Sequence, residues 1–396
     1  MKRVVVGISG GVDSSVAAYL LKEQGYDVLG LFMINWHDTT GTLEGDCPWN
    51  DDLLFAELVA RKLQIPFQTV DFSHEYRKRV VEYMFSEYQN GRTPNPDVLC
   101  NREVKFDLFW NRAREMGADF IATGHYCRKD TLIQDGREIH RLLAGMDPGK
   151  EQSYFLCQLN QKQLAPVMFP IGHMHKSEIR SIAKKQNLAT ANRKDSQGIC
   201  FVGKVDLPEF LQQKLAKKKG EIIEIPKDAF RKTAKPVPGK EYSEEELVQF
   251  SKPLAFTIHD GTAVGSHRGA HFFTIGQRKG MNVGGKTEPL FVLATDTRKN
   301  LLYVGQGHDH PGLNRYGLFI PKKDIHWIRD DLALKPGEKK DFMVRIRYRQ
   351  PLQHATFYVK NNGAYILFKE AQRGITPGQF AAWYLGDELL GSGVIA

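Results

Sequence analysis

Val4-Val5-Val6-Gly7-Ile8-Ser9-Gly10-Gly11-Val12-Asp13-Ser14-Ser15 runs from an apolar strand through a glycine turn straight into a helix start, and its reading decides the fold. Gly10 and Gly11 can adopt the angles of a tight turn and let peptide N–H groups approach an anion closely. Ser14 and Ser15 add hydroxyl donors where the helix dipole is positive. The stretch predicts a phosphate cradle. Asp13 or Ser14 is the expected helix cap, Val16, Ala17, Leu20 and Leu21 supply an apolar face, and Gly25 is the expected stop. No Walker-type lysine follows the glycines and the spacing is not G-x-G-x-x-G, so neither the P-loop NTPase nor the dinucleotide motif fits.

Outward from this turn, short apolar runs alternate with amphipathic stretches as far as about Phe201: Val28–Ile34, Phe67–Phe72 and Phe120–Thr123 as strands, and helices near Asp51–Leu63, Glu103–Met116 and Ser177–Gln186. That alternation predicts an α/β domain with a mostly parallel sheet. A helix at about Leu207–Lys218 ends in Lys217-Lys218-Lys219-Gly220, read as a boundary. From Gly220 to about Gly285 the chain is rich in Lys, Pro and Gly, and from Pro289 onward it turns all-β, with runs such as Leu301–Val304, Phe342–Tyr348 and Ala364–Phe368 separated by turns including Asn361-Asn362-Gly363. Short strands at this spacing predict a small barrel. The expected domains are therefore 1–219, a small central domain at 220–286, and a C-terminal all-β barrel at 287–396.

The chain has 396 residues and a formal charge of +9, a balance that favours a polyanionic partner. Its five cysteines, Cys47, Cys100, Cys127, Cys157 and Cys200, include no C-x-x-C pair, which excludes a secreted disulfide framework and a zinc ribbon. The N-terminus enters its strand by Arg3 or Val4, and no apolar run approaches the ~20 residues that span a bilayer. A cytoplasmic, soluble protein with no membrane partner is expected.

Two later segments carry further chemistry. Thr93-Pro94-Asn95-Pro96-Asp97-Val98-Leu99-Cys100-Asn101 sets a carboxylate and a thiol three residues apart in a proline-stiffened loop ahead of a helix. A thiol near a helix N-terminus with Arg102 and Lys105 beside it is expected to be exposed and to have a depressed pKa. Asp195-Ser196-Gln197-Gly198-Ile199-Cys200-Phe201 supplies a second thiol after a glycine turn. Cys47, Cys127 and Cys157 are read as small buried side chains.

Ser9-Gly10-Gly11-Val12-Asp13-Ser14 resembles the PP-loop of ATP pyrophosphatases, which split ATP between its α and β phosphates. Together with Asn95–Asn101, Ala122-Thr123-Gly124-His125-Tyr126 and Asp195–Phe201 in this order, the chain resembles the tRNA-specific 2-thiouridylases. The match continues through Lys150-Glu151-Gln152-Ser153-Tyr154-Phe155-Leu156 and Thr274-Ile275-Gly276-Gln277-Arg278-Lys279-Gly280 into Thr376-Pro377-Gly378-Gln379, nearly the whole length. The resemblance implies a PP-loop adenine-nucleotide α-hydrolase-like domain and ATP-dependent sulfuration of the wobble uridine in tRNAs for Lys, Glu and Gln. The sulfur would come as a persulfide from a cysteine desulfurase or a sulfur-relay protein. Gly7, Ile8, Ser9, Gly10, Gly11, Val12, Asp13, Ser14, Met33 and Gly124 would bind ATP; Asn95, Pro96 and Asp97 would hold the target base. Cys100 would be the nucleophile, Cys200 the persulfide carrier, and Asp97 a general acid or base. His125, Lys150, Glu151, Gln152, Arg347, Tyr348 and Gln379 would touch the tRNA. Mg²⁺ is expected near Asp13; an iron–sulfur cluster, which related sulfur-transfer enzymes can use, would have to be held by three scattered cysteines.

Val344-Arg345-Ile346-Arg347-Tyr348-Arg349 alternates so that three arginines would share one strand face, a row of phosphate contacts or, alternatively, a solvated edge. His259, His267 and His271 read as loop polarity rather than a metal site. Against the family pattern, 226–258 reads as an insertion in the central domain. Two other functions compete: another PP-loop adenylating ligase, which leaves the thiols and the barrel without a use, and a non-catalytic tRNA-binding protein, which leaves the intact glycine loop without one.

Overall fold

The computed structural model describes residues 1–37, 49–195, 207–230, 235–237 and 239–396. The N-terminal part holds β1 (Arg3–Gly7), β2 (Asp27–Ile34), β3 (Phe67–Asp71), β4 (Phe120–Ala122), a hairpin of β5 (Cys127–Gln134) and β6 (Arg137–Ala144), and β7 (Val167–Met168). Five of these form a parallel sheet in the order β3-β2-β1-β4-β7. Val4, Val5 and Val6 of β1 are fully buried at its centre, covered on one side by the helix Val12–Glu23 and on the other by the helical stretch running from Pro96 to Glu115. The expected strands and the helices at Asn50–Leu63 and Lys176–Lys185 stand within a residue or so of their expected limits. The helix expected over Leu207–Lys218 is shorter, Leu207–Leu211.

The central sheet pairs β8 (Gly220–Glu224), β9 (Thr262–His267), β10 (Leu290–Asp296) and β11 (Leu301–Gln306) in the order β10-β11-β8-β9. The boundary expected at 286/287 therefore cuts through a sheet. β8 buries Ile222 and Ile223 on opposite faces, and β11 beside it offers matching apolar faces with Leu302 and Tyr303. Pairing, rather than the change in composition near Pro289, sets the end of this unit.

The C-terminal strands are β12 (Asn314–Pro321), β13 (Ile325–Trp327), β14 (Lys339–Arg345), β15 (Gln353–Lys360), β16 (Gly363–Arg373), β17 (Phe380–Leu385) and β18 (Glu388–Val394). They run antiparallel around a core of Phe342, Phe357, Phe368 and Trp383, and the N–H of Ala396 donates to Phe319 O at 3.0 Å, bringing the chain end back to β12. The barrel is not a separate bead. The β5–β6 hairpin of the N-terminal part joins its sheet through β18, and Phe380, Ala382, Tyr384 and Leu389 share one apolar cluster with Tyr154, Leu156 and Cys157. Ser392 Oγ donates to Cys157 O and accepts from Gln158 Nε2, both at 2.7 Å.

Candidate active site

In an open parallel sheet a ligand binds outside the carboxyl ends of the strands, where the strand order reverses. Here the reversal lies between β1 and β4, and the residues that follow these strands are Ile8–Ser14 and Thr123–His125. Gly10 has φ +71° and lies so close to Asp52 that a Cβ would sit 2.2 Å from its carbonyl oxygen. Gly124 presses on the helix start; a Cβ there would come 2.6 Å from Ser14 N. Both glycines are required by close backbone approach. Met33, at the carboxyl end of β2, packs beside Gly7, so all ten residues expected to hold the nucleotide border one sheet edge.

The helix begins with Gly11 as N-cap, not Asp13 or Ser14. Its first intrahelical bond is Ser15 N to Gly11 O, which leaves the N–H groups of the first turn directed out of the helix end. Ser14 Oγ accepts from Ser9 N at 3.1 Å, and Ser15 Oγ donates to Gly11 O at 2.7 Å. These hydroxyls brace the turn, so the expected phosphate donors are chiefly backbone N–H groups.

Asp13 does not stand alone. Tyr126 Oη donates to its Oδ1 at 2.7 Å, and Lys176 Nζ lies 2.8 Å from both of its oxygens. Lys176 also meets Asp195 at 2.7 Å, and Asp195 is shared with Lys150 at 2.5 Å and Arg180 at 2.9 Å. Burial alone would raise the Asp195 carboxyl; the hydrogen bonds from Lys150 and Lys176 outweigh it and hold it at about 2. Arg193 completes the rim, donating to Gly10 O at 3.1 Å and pairing with Asp52 at 2.9 Å. Lys176, Arg180 and Arg193 were not singled out from the sequence. Lys176 is 163 positions from Asp13, and no local pattern announces the pairing.

The loop carrying Asn95, Pro96 and Asp97 opens a second wall. Asn95 caps the helix that follows, accepting from Val98 N at 3.3 Å, with Pro96 at its first position. Asp97 is half-buried and Cys100 is fully buried, packed in the apolar cluster with Val98, Leu99 and Val104. The expectation of an exposed Cys100 at a helix N-terminus is thus overturned. The helix continues through it as a wider turn from Asn101 to Leu108, which carries the thiol inside. The same helical stretch reaches the segment that follows β4, where Phe106 packs on His125 at 5.8 Å.

Several residues expected to touch tRNA are turned inward. Glu151 is buried and pairs with Arg345 at 2.8 Å while accepting from Ser153 N. Gln152 exchanges hydrogen bonds with the Tyr126 backbone. His125 is buried, and burial and then the Lys105 charge hold its pKa well below the usual histidine value. The row of arginines is also dismantled: β14 ends at Arg345, which is buried against Glu151 and Tyr384. Arg347 donates to Gly374 O and Ile275 O, and Arg349, at φ +65°, is the exposed member. Tyr348 packs on Phe155 with ring centroids 4.2 Å apart and the planes tilted by 41°. Lys150 is partly exposed. Gln379 Nε2 donates to Thr93 O at 2.9 Å and Pro94 O at 3.1 Å, so the barrel grips the loop that leads to Asp97.

Three family models match in chain order: a tRNA methyl transferase HUP domain over residues 2–204, a tRNA methyl transferase PRC-barrel domain over 245–306, and an aminomethyltransferase β-barrel domain over 320–395. The tRNA-specific 2-thiouridylase MnmA of Christiangramia forsetii is 57% identical over 396 residues, all of both chains. The chain belongs to the tRNA-specific 2-thiouridylase family. The enzyme of the same name from Flavobacterium johnsoniae is also 57% identical over the full length of both, and that of Halalkalibacterium halodurans 45% over 99% of this chain and 94% of its own. As a thiouridylase, the protein is a tRNA-uridine 2-sulfurtransferase whose substrate is tRNA and whose HUP domain belongs to an ATP-using class.

The alignment with the first two relatives spans both chains from end to end, so it takes in 226–258. That segment does not attach only to the central sheet: its helix, Glu244–Ser251, places Leu247 and Phe250 against Tyr358, Tyr365 and Leu367 of the barrel. Cys47 and Cys200 lie outside the described residues. The described residues hold no disulfide; Cys127 and Cys157 are fully buried, and burial pushes the Cys157 thiol up to about 12. No group of three His, Cys, Asp or Glu able to hold a metal is found among the described residues, and none of their helices is long and apolar enough to cross a membrane. His267, buried at the end of β9, accepts from Gly269 N. With both Asp13 oxygens already facing an ammonium, the site is a poor fit to a protein-built Mg²⁺ cage, which would need several free oxygens.

Proposed function

We propose that this thiouridylase adenylates the C2 oxygen of the wobble uridine in tRNAs for Lys, Glu and Gln, then replaces that oxygen with sulfur delivered from a persulfide. A uridine C2 oxygen is a poor leaving group, and AMP is a good one. The observation that carries the reading is the shared ammonium of Lys176, which joins Asp13 of the glycine turn to Asp195. Asp195 stands five residues before Cys200 in the sequence.

The backbone N–H groups at Gly11–Ser14 and the cations around them are the chain's means of holding the phosphates, with Mg²⁺ arriving on the nucleotide and supplying charge neutralisation there. Asn95 and Pro96 would seat the target base, with Asp97 moving a proton at its edge. Sulfur carried on Cys200 would be passed to C2 with expulsion of AMP, and Cys100 would attack the carrier sulfur to release it, leaving a Cys100–Cys200 disulfide for a thiol reductant to reopen. The burial of Cys100 means that this attack requires its helix or the target-base loop to shift when tRNA binds. A cysteine desulfurase or sulfur-relay protein is the upstream donor in this reading.

Single-turnover assays with tRNA, ATP and labelled persulfide donor test it. Cys200→Ser is expected to take up no label, and Cys100→Ser to hold label on the protein without releasing thiolated tRNA. Full thiolation by Cys100→Ser overturns the division of labour; thiolated tRNA formed without ATP overturns the adenylate.

A further inference from the structure

Ser153–Leu156 form a single 3₁₀ turn just after the buried Glu151, and Ser153, Tyr154 and Leu156 of that turn are buried. Phe155 is the member left half-buried. The turn is fastened to the target-base loop. Asn101 Nδ2 donates to Phe155 O at 3.3 Å and to Asp97 O at 2.9 Å, and the Asn95 side chain reaches the Tyr154 hydroxyl. Phe155 is therefore held beside the short helix Pro96–Cys100, which carries Asp97 and Cys100.

The ring's partner comes from the barrel. Tyr348, half-buried as well, packs on Phe155 with centroids 4.2 Å apart, and the 41° tilt between the planes makes the pair a wedge and not a closed stack. The exposed guanidinium of Arg349 follows, 5.3 Å from the Tyr348 ring centroid. Phe155, Tyr348 and Arg349 thus form a run of planar groups that begins at the target-base loop and ends in solvent. Unstacked nucleobases settle on aromatic rings and on guanidinium planes, because every base has a π-face.

A uridine turned out of its strand loses its stacking neighbours, and enzymes that act on such bases offset the loss with aromatic or apolar contacts. Asn95 and Asp97 suit the polar edge of the base, not its flat faces. Attack at C2 comes from above the ring plane, so one face has to stay open to the sulfur while the other can be covered. We propose that the Phe155 ring is that cover: the wobble uridine stacks on it, taking the place that Tyr348 holds in the tRNA-free protein. The exchange costs little, because a flat group lies against Phe155 before and after it. Phe155 sets the plane of the base and takes no part in proton or electron movement. This rests on the seating of the base by Asn95, Pro96 and Asp97 described above.

The test uses the full-length protein and a tRNA carrying photoreactive 5-iodouridine at the wobble position, irradiated in the presence of the α,β-methylene analogue of ATP. Peptide mapping is expected to place the cross-link on Phe155. In parallel, thiolation of unmodified tRNA is timed with two variants. Phe155→Leu keeps the bulk and removes the π-face; it is expected to lower kcat by about 10–100-fold, the range of one base–aromatic stack, while tRNA affinity, set mainly by phosphate contacts, changes by less than about threefold. Phe155→Tyr keeps the face and is expected to stay within about threefold of the wild-type kcat. A cross-link that falls on Tyr348 instead, or a wild-type kcat for Phe155→Leu, overturns the proposal. So does an equal loss of kcat in the Leu and Tyr variants, which would assign the ring to domain packing. Should Phe155→Leu fail to fold by its melting profile, the cross-link on the wild-type protein decides. A wild-type reaction that leaves no 2-thio group at the wobble position by mass analysis overturns the reading beneath the proposal, wherever the cross-link falls.

Discussion

Arg345 Nη1 and Glu151 Oε2 form an ion pair 2.8 Å long, with both side chains buried where β14 of the barrel meets the segment after the β5–β6 hairpin. The pair bridges 194 positions of sequence and puts inside the molecule two residues expected at the RNA surface, Arg345 from its alternating strand and Glu151 from the family resemblance. Removing one partner strands a buried charge. Glu151→Gln is therefore expected to destabilise the fold by about 3–5 kcal/mol, as one-sided loss of a buried pair does. Urea unfolding of the full-length protein followed by intrinsic fluorescence measures this, and a loss below about 1 kcal/mol would show that the pair is solvated.

Because Arg345 and Arg347 are spent on protein partners, the salt dependence of tRNA binding is expected to depend on Arg349 instead. Arg349→Ala should reduce the slope of log Kd against log salt by about 0.7–0.9, one phosphate contact. Filter binding across a salt series checks it. A slope unaffected by Arg349→Ala but flattened by Arg347→Ala would mean that the Arg347 contacts with Gly374 and Ile275 open in the complex.

Gln379 is expected to act by holding the target-base loop rather than by gripping RNA alone. Gln379→Ala removes both hydrogen bonds to the Thr93 and Pro94 carbonyls. Loosening a loop that positions reacting groups can cost on the order of 100-fold in rate, so kcat for thiolation should fall by about 10–100-fold while tRNA affinity changes little. Lost affinity at an unchanged kcat would assign Gln379 to the tRNA surface, as the family resemblance implies.

His125 gives a pH dependence of stability with a definite sign. Its folded-state pKa is held well below the ordinary histidine value of 6.5, by burial first and by Lys105 second, so the unfolded chain takes up a proton that the folded one resists. Its contribution is full above pH 6.5 and is lost as pH falls from there toward the folded pKa. Replacing it with Gln is expected to reduce the slope of unfolding free energy against pH, between about pH 6.5 and 5, by up to about 1.4 kcal/mol per unit, the effect of one proton. Urea titrations at three pH values test it, and an unchanged slope would mean that His125 protonates freely in the folded protein.

Local chemistry made the frame legible in sequence. A valine run followed by paired glycines and a helix start can be little else than β1, a turn and a helix N-terminus, and the alternation that follows it dictates a parallel sheet. The glycine turns at the carboxyl ends of β1 and β4 were legible for the same reason, because Gly10 and Gly124 are required by backbone approaches that only glycine permits. What sequence could not supply was the partner of each charge. Arg345 in an alternating strand looks solvent-facing until Glu151 is brought against it, Cys100 beside two basic residues looks reactive until its helix is rolled into the core, and Lys176 is an ordinary helix residue until it meets Asp13. Whether a charged group faces water, a phosphate or a buried counter-ion depends on which distant segment is packed against it. That packing was decided by the burial of apolar surface across the three domains, and it exists only in the folded chain.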